Sequence, residues 1–388
     1  MRAAKSSPLG SLQLRFVVFQ LHRYLGLICG LILIIIGTTG SLLVFEPELE
    51  HQFIENRMGA IVPQGELISI DSVVATVQAE VSRMTNVTLG NILPPQDATS
   101  PFQARLWDAS DHLVQLFIHP YTGQVMGTIP ESESWLHLAL RLHYQLLIGN
   151  TGALVTGTTG LLLFFLSITG IVLWPGWRKL IAGFKIKWKA HPKRRNFDLH
   201  KVAGVIAAVF LAFTGFTGFC WNFYDWSSSI IYAVTFTPKP VELVSKPFPG
   251  QAALPISKLL EVADNTFPNS ITTYVGVPSK PDGVVRVGKR QAHESNRYGE
   301  SEMLVNPYTG KALRVQDSKT LGLGDRVLNA FVPMHYGTFW GATSRILYIF
   351  VGLSPLVLFI TGFVMWWYRK RKDVRLVETT EAETIAKL

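Results

Sequence analysis

The chain has 388 residues, of which 48% are hydrophobic and only 16% are Asp, Glu, Lys or Arg, and its formal net charge is +9. A charged fraction this far below the roughly 25% of soluble domains excludes an ordinary soluble globular protein and points to the membrane. The surplus Lys and Arg cluster beside apolar runs, where they report orientation and attraction to anionic lipid, not nucleic-acid binding.

In chain order, the first predicted element is a helix from Phe16 to Phe45. It is one of four apolar stretches of about 20 residues, the length that spans a hydrocarbon core of roughly 30 Å. The others run from Thr151 to Trp174, Val202 to Trp221 and Ile346 to Trp367. The first run is longer than the apolar part of a signal peptide, lacks a small-residue cleavage pattern and ends in Glu46-Pro47, so it reads as an uncleaved anchor. Residues 1–45 are therefore expected to hold the N-terminal segment and first span, 46–134 an outside module, 135–177 a pre-helix and the second span, and 178–198 a basic linker. The third span follows in 199–224, a second outside module in 225–324, a pre-helix and the fourth span in 325–368, and a tail in 369–388.

Each module shows one amphipathic helix, with apolar residues at Val73, Val74, Val77 and Val81 in the first and at Leu259, Leu260 and Val262 in the second. Alternating strands follow, such as "HLVQLFIHP" and "SEMLVNP", each running into a "PYTG" turn where Pro and Gly supply special backbone angles. "PPQDATSP" and "SKPDGVV" read as loops. The linker carries Arg178, Lys179, Lys185, Lys187, Lys189, Lys193, Arg194 and Arg195, and the tail carries Arg369, Lys370, Arg371 and Lys372. By the positive-inside rule both face the cytoplasm, and so do both termini. Cys29 and Cys220 fall in or at the end of different spans and read as packing residues.

Compared with itself, the chain is written twice. "FQLHRYLGL" matches "FDLHKVAGV", "LHYQLLIGNTG" matches "MHYGTFWGATS", and "FLSITGIVLWPGWRK" matches "VLFITGFVMWWYRKR". The expected fold class is thus an α-helical membrane protein with four transmembrane helices in two tandem repeats, each repeat carrying a small α+β module on the outer side. Because both halves start and end in the cytoplasm, the repeats are parallel and related by an axis along the membrane normal.

Four histidines fall at matching places: His22 and His200 near the cytoplasmic ends of the first helix of each half, His143 and His335 just before the second helix at the outer face. Packing about the pseudo-twofold axis would set His22 against His200 and His143 against His335. Two facing imidazoles on separate helices are what a low-spin b-type haem requires, one axial nitrogen from each side. Two haem b groups are expected, neither attached covalently, since no Cys-x-x-Cys-His is present. Gly26 and Gly204 stand four residues after His22 and His200, on the same helix face, and leave room for a flat macrocycle. In the outer pair the shared pattern is His-Tyr followed by Gly149 or Gly341, and the steps Thr39-Gly40, Thr169-Gly170, Thr214-Gly215 and Thr361-Gly362 would let helices or a ring approach closely.

Arg23 and Lys201, beside the inner pair, and Arg141 and Arg345, near the outer pair, are candidates to hold haem propionates through charge-assisted hydrogen bonds. For Arg23 and Lys201 the alternative is simple anchoring at the cytoplasmic surface. A histidine at a helix mouth also serves as an interfacial residue, so the ligand assignment competes with that reading. His137 is answered by Asn329 and His119 by Asn306 in the other half, and His51, His112, His191 and His293 have no counterpart and read as loop residues. Trp135, Trp174, Trp221, Trp340, Trp366 and Trp367 fall at expected interfaces.

Together these residues resemble the PepSY-associated transmembrane proteins, which open the first helix with a phrase like "LHRYLGL", carry a Thr-Gly step, end the external module in "NPYTG" and close on Trp and basic residues. The resemblance covers nearly the whole chain. Within that family the sequence is most similar to the ferric-siderophore reductases of the bacterial inner membrane. That likeness implies PepSY-like modules in the periplasm, two b haems with His22, His200, His143 and His335 as axial ligands, and reduction of imported ferric siderophore on the periplasmic side. His119 departs from the pattern, standing where the second half has the usual Asn.

The expected mechanism is an electron relay from the His22/His200 haem to the His143/His335 haem and on to Fe(III), whose hard oxygen ligands hold Fe(II) far less well. No Gly-x-Gly-x-x-Gly follows a strand, and "GLGDR" lacks the third glycine, so the donor is external: a quinol or a separate reductase. Two other readings stay open, a PepSY-type binding or regulatory membrane protein without redox activity and a generic b-type carrier to another periplasmic acceptor. A transporter fits less well, because the histidines lie near the two surfaces and not at the middle.

Overall fold

The computed structural model describes residues 8–385 except 248, 249 and 295, with side chains described within 13–371. Helix α1 (Pro8–Leu43) is followed by α2 (Glu46–Met58), which has Pro47 in its first turn together with Glu46 and Glu48, where the helix dipole favours negative charge. Helix α3 (Ile70–Arg83) is capped by Ser69, whose Oγ accepts from the Ser72 N–H at 3.2 Å. Strands β1 (Val87–Leu93), β2 (Phe102–Asp108), β3 (Leu113–Ile118) and β4 (Val125–Pro130) lead to helices α4 (Trp135–Gln145) and α5 (Gly149–Leu173). A short α6 (Leu180–Phe184) lies in the basic linker. Helix α7 (Pro192–Asn222) begins earlier than the expected residue 199, because Pro192 suits the first helical turn and His191 caps it by accepting from the Lys193 N–H. Helices α8 (Tyr224–Val234) and α9 (Ile256–Thr266) precede strands β5 (Ile271–Gly276), β6 (Val285–Arg290), β7 (Ser301–Val305) and β8 (Ala312–Gln316). Helices α10 (Leu323–Tyr336) and α11 (Gly341–Ile385) end the chain.

Two compact units result. The first comprises Met1–Val44, Ala139–Ser227 and Met334–Leu388, the second Phe45–Leu138 and Ser228–Pro333. Among the described residues, four helices of the first unit are long and apolar enough to cross a membrane, over Gln13–Leu43, Gly149–Trp177, Pro192–Asn222 and Gly341–Arg371. Glycine lets them cross closely: a Cβ at Gly160 of α5 would lie 2.7 Å from the Gly215 carbonyl oxygen of α7, and one at Gly215 would lie 2.6 Å from the Gly160 oxygen. Helices α1 and α11 meet in the same manner at Gly37 and Gly352, where the Ser41 hydroxyl donates to the Ile349 carbonyl at 2.9 Å. Cys29 packs against Leu33 and Leu166, Cys220 is buried, and both are free thiols.

In the second unit the two expected modules are not separate. Their strands form one eight-stranded antiparallel sheet in the order β4-β3-β2-β1-β5-β6-β7-β8, joined where Asn91 pairs with Gly276 and Ile92 with Val275. A four-stranded meander ends in an edge of unpaired N–H and C=O groups, and joining β1 to β5 satisfies both such edges at once. Helices α3 and α9 cover one face. Val73 and Val77 pack on Ile92, Ala104, Leu106 and Leu116, while Leu259 and Ala263 pack on Val275, Val287, Met303 and Val305. Asp71 of α3 links the helices by accepting from the Ser257 N–H at 3.1 Å.

Both "PYTG" turns place glycine in the left-handed region, Gly123 at φ 73° and Gly310 at φ 70°. Ahead of Gly310, Asn306 Oδ1 accepts from the N–H groups of Tyr308 and Thr309 at 2.9 and 3.2 Å. His119 Nδ1 accepts from Tyr121 and Thr122 in the same way, both at 3.3 Å. The departure at His119 thus preserves the turn, since an unprotonated ring nitrogen replaces the amide oxygen.

Candidate functional site: two facing histidine pairs

All four matched histidines lie in the first unit, and the structure brings them together across the halves. The rings of His22 on α1 and His200 on α7 have centroids 6.2 Å apart at an interplanar angle of 86°. Those of His143 on α4 and His335 on α10 are 6.1 Å apart at 87°. Three of the four Thr-Gly steps singled out in the sequence hold these rings, and a fourth does so in place of Thr214-Gly215.

His22 Nδ1 meets Thr169 Oγ1 at 2.9 Å and His200 Nδ1 meets Thr361 Oγ1 at 2.9 Å. His143 Nδ1 meets Thr39 Oγ1 at 3.2 Å, and His335 Nδ1 meets Thr217 Oγ1 at 2.6 Å. The glycine after each threonine lies against the same ring: a Cβ at Gly170, Gly362, Gly40 or Gly218 would come 3.3, 3.5, 2.9 or 3.6 Å from the histidine Cε1. Thr214 instead donates to its own helix at Leu211, and Gly215 serves the crossing with α5. The "FTGFTGF" run holds two Thr-Gly steps three residues apart, and packing assigns the second to the ring.

Carbonyl partners define the proton. His143 Nδ1 donates to the Ile36 carbonyl at 2.8 Å and His200 Nδ1 to the Leu358 carbonyl at 3.1 Å, and a carbonyl only accepts. Nδ1 therefore carries the hydrogen in both, and Nε2 keeps its lone pair with no hydrogen bond among the described residues. A second-sphere acceptor on one nitrogen with the other left open is the arrangement of metal-bound histidine.

A cavity of ≈ 950 Å³ surrounds the His22/His200 pair. Gly26, Gly204, Gly170 and Gly362 line it, and a Cβ at Gly26 or Gly204 would meet only one leucine methyl, at 3.9 or 3.5 Å. Arg15, Arg23, Arg194 and Arg369 also line it, so cations stand around this pair. Arg23 places its guanidinium 4.5 Å from the Tyr24 ring centroid, and its buried Nε has no hydrogen-bond partner, like Trp174 Nε1 on the same wall.

The expected propionate holders fare differently. Lys201 lines the same cavity, and its Nζ donates to Asp198 and to the Ala182 carbonyl, both at 2.8 Å. A lysine three residues after an aspartate on one helix reaches it directly, and the linker then closes over the pair. Arg345 donates from Nη2 to the Val44 carbonyl at 2.8 Å, at the end of α1. Arg141 is on α4 with His143 of the outer pair. Gly149 and Gly341 do not face a ring: both adopt positive φ, 61° and 58°, and turn the chain into α5 and α11. Sequence reasoning also placed Trp221 only at an interface, whereas its ring lies 4.7 Å from that of His335.

The residues around the His22/His200 pair fit a b-type haem, and the His143/His335 pair repeats the facing rings with their threonine and glycine neighbours. His22 and His200, and likewise His143 and His335, would be the residues to hold such a group between their facing rings. Two facing imidazoles, a glycine-lined slot and orphaned donors beside the His22/His200 pair suit a flat group with an anionic edge. No cluster of three or more His, Cys, Asp or Glu side chains able to hold a metal ion occurs among the described residues.

The second unit holds a separate group of ionisable residues. Burial and the nearby Glu50 push Glu46 up to about 7, against the opposing pull of Arg297 and Arg105, with Glu48 adding to the rise. Burial also lowers His137, which faces Glu50, Arg105 and Glu131 and whose Nδ1 bonds with the Ser134 hydroxyl at 2.9 Å. A carboxyl raised in the folded state contributes stability below its ordinary value of 4.5 that is lost as pH rises through about 7. Thermal unfolding is therefore expected at a lower temperature at about pH 8 than at about pH 5, and Glu46→Gln should flatten that slope. An unchanged slope in the variant would assign the pH dependence to another group.

A family model described as the PepSY-associated TM region matches residues 19–369. No curated protein matches the chain.

Proposed function

We propose that this chain, which belongs to the PepSY-associated TM region family, is a di-haem b electron-transfer protein of the bacterial inner membrane that reduces ferric siderophore at the periplasmic face. The observation that carries the reading is the pair of facing histidine pairs, each near 6 Å between ring centroids, with Nδ1 hydrogen-bonded and Nε2 left open. When bound, haem iron supplies one-electron transfer without opening a coordination position to substrate.

The chain's own residues orient and separate the two stations. His22 and His200 lie at the end of the bundle that carries the basic linker and tail, the cytoplasmic end by the positive-inside rule. His143 and His335 lie at the end where the chain passes into the sheet-bearing unit, which the same rule puts in the periplasm. Thr169, Thr361, Thr39 and Thr217 orient the imidazoles through Nδ1. Arg15, Arg23, Arg194 and Arg369 complement anionic propionates at the first pair. The electron donor is a quinol or a separate reductase, and one quinol supplies the two electrons that reduce two ferric ions. Each Fe(III) chelate takes one electron, and the resulting Fe(II) leaves because hard oxygen ligands hold it less well.

The test is the reduced-minus-oxidised visible spectrum of the purified protein, with haem counted per chain, repeated after ferric siderophore is added to the reduced sample. Two b-type haems reoxidised by the siderophore are expected. Haem without reoxidation would make the chain a carrier to another periplasmic acceptor. A protein without haem would return it to a binding or regulatory role.

A further inference from the structure

We infer that four threonine hydroxyls, Thr39, Thr169, Thr217 and Thr361, are positioning residues that set the reduction potentials of the two haems, with Thr217 the strongest; the inference rests on the haem reading above. A hydroxyl has one hydrogen, and in each threonine it is committed to the carbonyl one turn back on its own helix. Thr39 donates to Ile35 at 2.7 Å, Thr169 to Phe165 at 2.8 Å, Thr217 to Phe213 at 2.8 Å and Thr361 to Val357 at 2.7 Å. Toward the imidazole the oxygen is left only as an acceptor, so it fixes the hydrogen on Nδ1 and directs Nε2 away.

The clamps are reciprocal within each half. Helix α5 holds His22 of α1, while α1 holds His143; α11 holds His200 of α7, while α7 holds His335. Each ring is thus fixed by its own half and meets its partner from the other, so either half sets one ligand of each pair.

An acceptor on Nδ1–H makes Nε2 a better electron donor, which stabilises Fe(III) relative to Fe(II) and lowers the potential. Two histidines have a carbonyl as a second acceptor: Ile36 for His143 and Leu358 for His200. His335 has the Thr217 oxygen as its only Nδ1 acceptor among the described residues, at 2.6 Å. Removing that oxygen leaves its N–H unpaired, whereas the rings of His143 and His200 keep a carbonyl partner.

Spectroelectrochemical titration of the purified full chain tests this. Thr217→Val keeps the branched shape and removes the acceptor. With two haems still bound, one midpoint is expected to rise by at least tenfold in the reduction equilibrium, about 59 mV for one electron, and the other to stay. Thr217→Ser should return the midpoint, and Thr214→Val, one step earlier on α7, should move neither. A Thr217→Val protein with two haems and unmoved midpoints, or with both moved equally, overturns the inference while leaving the haem reading intact. If Thr217→Val loses a haem, Thr169→Val replaces it, since Thr169 is the hydroxyl on His22 Nδ1, and an unmoved midpoint there overturns the inference as well. A wild-type chain without haem would remove the functional reading and this inference together.

Discussion

Alanine at His143 or at His335 is expected to abolish the same haem, leaving about half the wild-type haem content, and alanine at His22 or His200 to abolish the other. The two rings of each pair come from different halves and stand 6.2 and 6.1 Å apart, so under the proposed reading a single iron would draw one ligand from each. With one imidazole gone, nothing else nearby takes its place, because no further His, Cys, Asp or Glu joins either pair among the described residues. Haem counting and difference spectra on the four variants check this, and transfer from a donor to an external ferric chelate should stop in all of them. If His22→Ala and His200→Ala removed different haems, the facing arrangement would be wrong as a description of ligation.

The largest effect expected on stability comes from Asp198→Ala. The Asp198 side chain is fully buried and receives Lys201 Nζ at 2.8 Å, Arg194 at 3.2 Å and the Lys187 N–H at 3.1 Å. Lys201 is itself 5% exposed, so removing the carboxylate leaves a buried ammonium without its counter-charge. Breaking such a pair from one side costs about 3–5 kcal/mol, and here it also releases the linker backbone from α7. Thermal unfolding in detergent should show the loss. Lys201→Met, which removes the cation and keeps its length, should cost less alone and recover part of the loss when combined with Asp198→Ala. A single variant as stable as the wild type would show that the linker is held by something else.

Much of this architecture was readable from local pattern. Length and apolarity located the four spans because crossing hydrocarbon imposes a minimum run. The stripe of Val73 and Val77 marked α3, and the "PYTG" turns were legible because glycine alone occupies positive φ without strain. The four histidines stood out because two halves of one chain agree on them while their neighbours differ.

Other features depended on which surfaces meet. Nothing local in "FTGFTGF" distinguishes Thr214-Gly215 from Thr217-Gly218; the three-residue step turns one toward Gly160 of α5 and the other toward His335. Lys201 lines the cavity as expected, and only packing shows that it also pairs there with a buried aspartate three residues earlier. The two strand sets looked like independent modules because pairing of β1 with β5 is a long-range event with no motif of its own. What the sequence by itself determined is therefore periodic or local: spans, turns, amphipathic faces and the four repeated histidines. Only the tertiary structure decided which threonine holds each ring, which cation faces the cavity and how the sheet closes. Those choices follow from contacts between segments distant in the chain, where packing selects one of several locally equivalent groups.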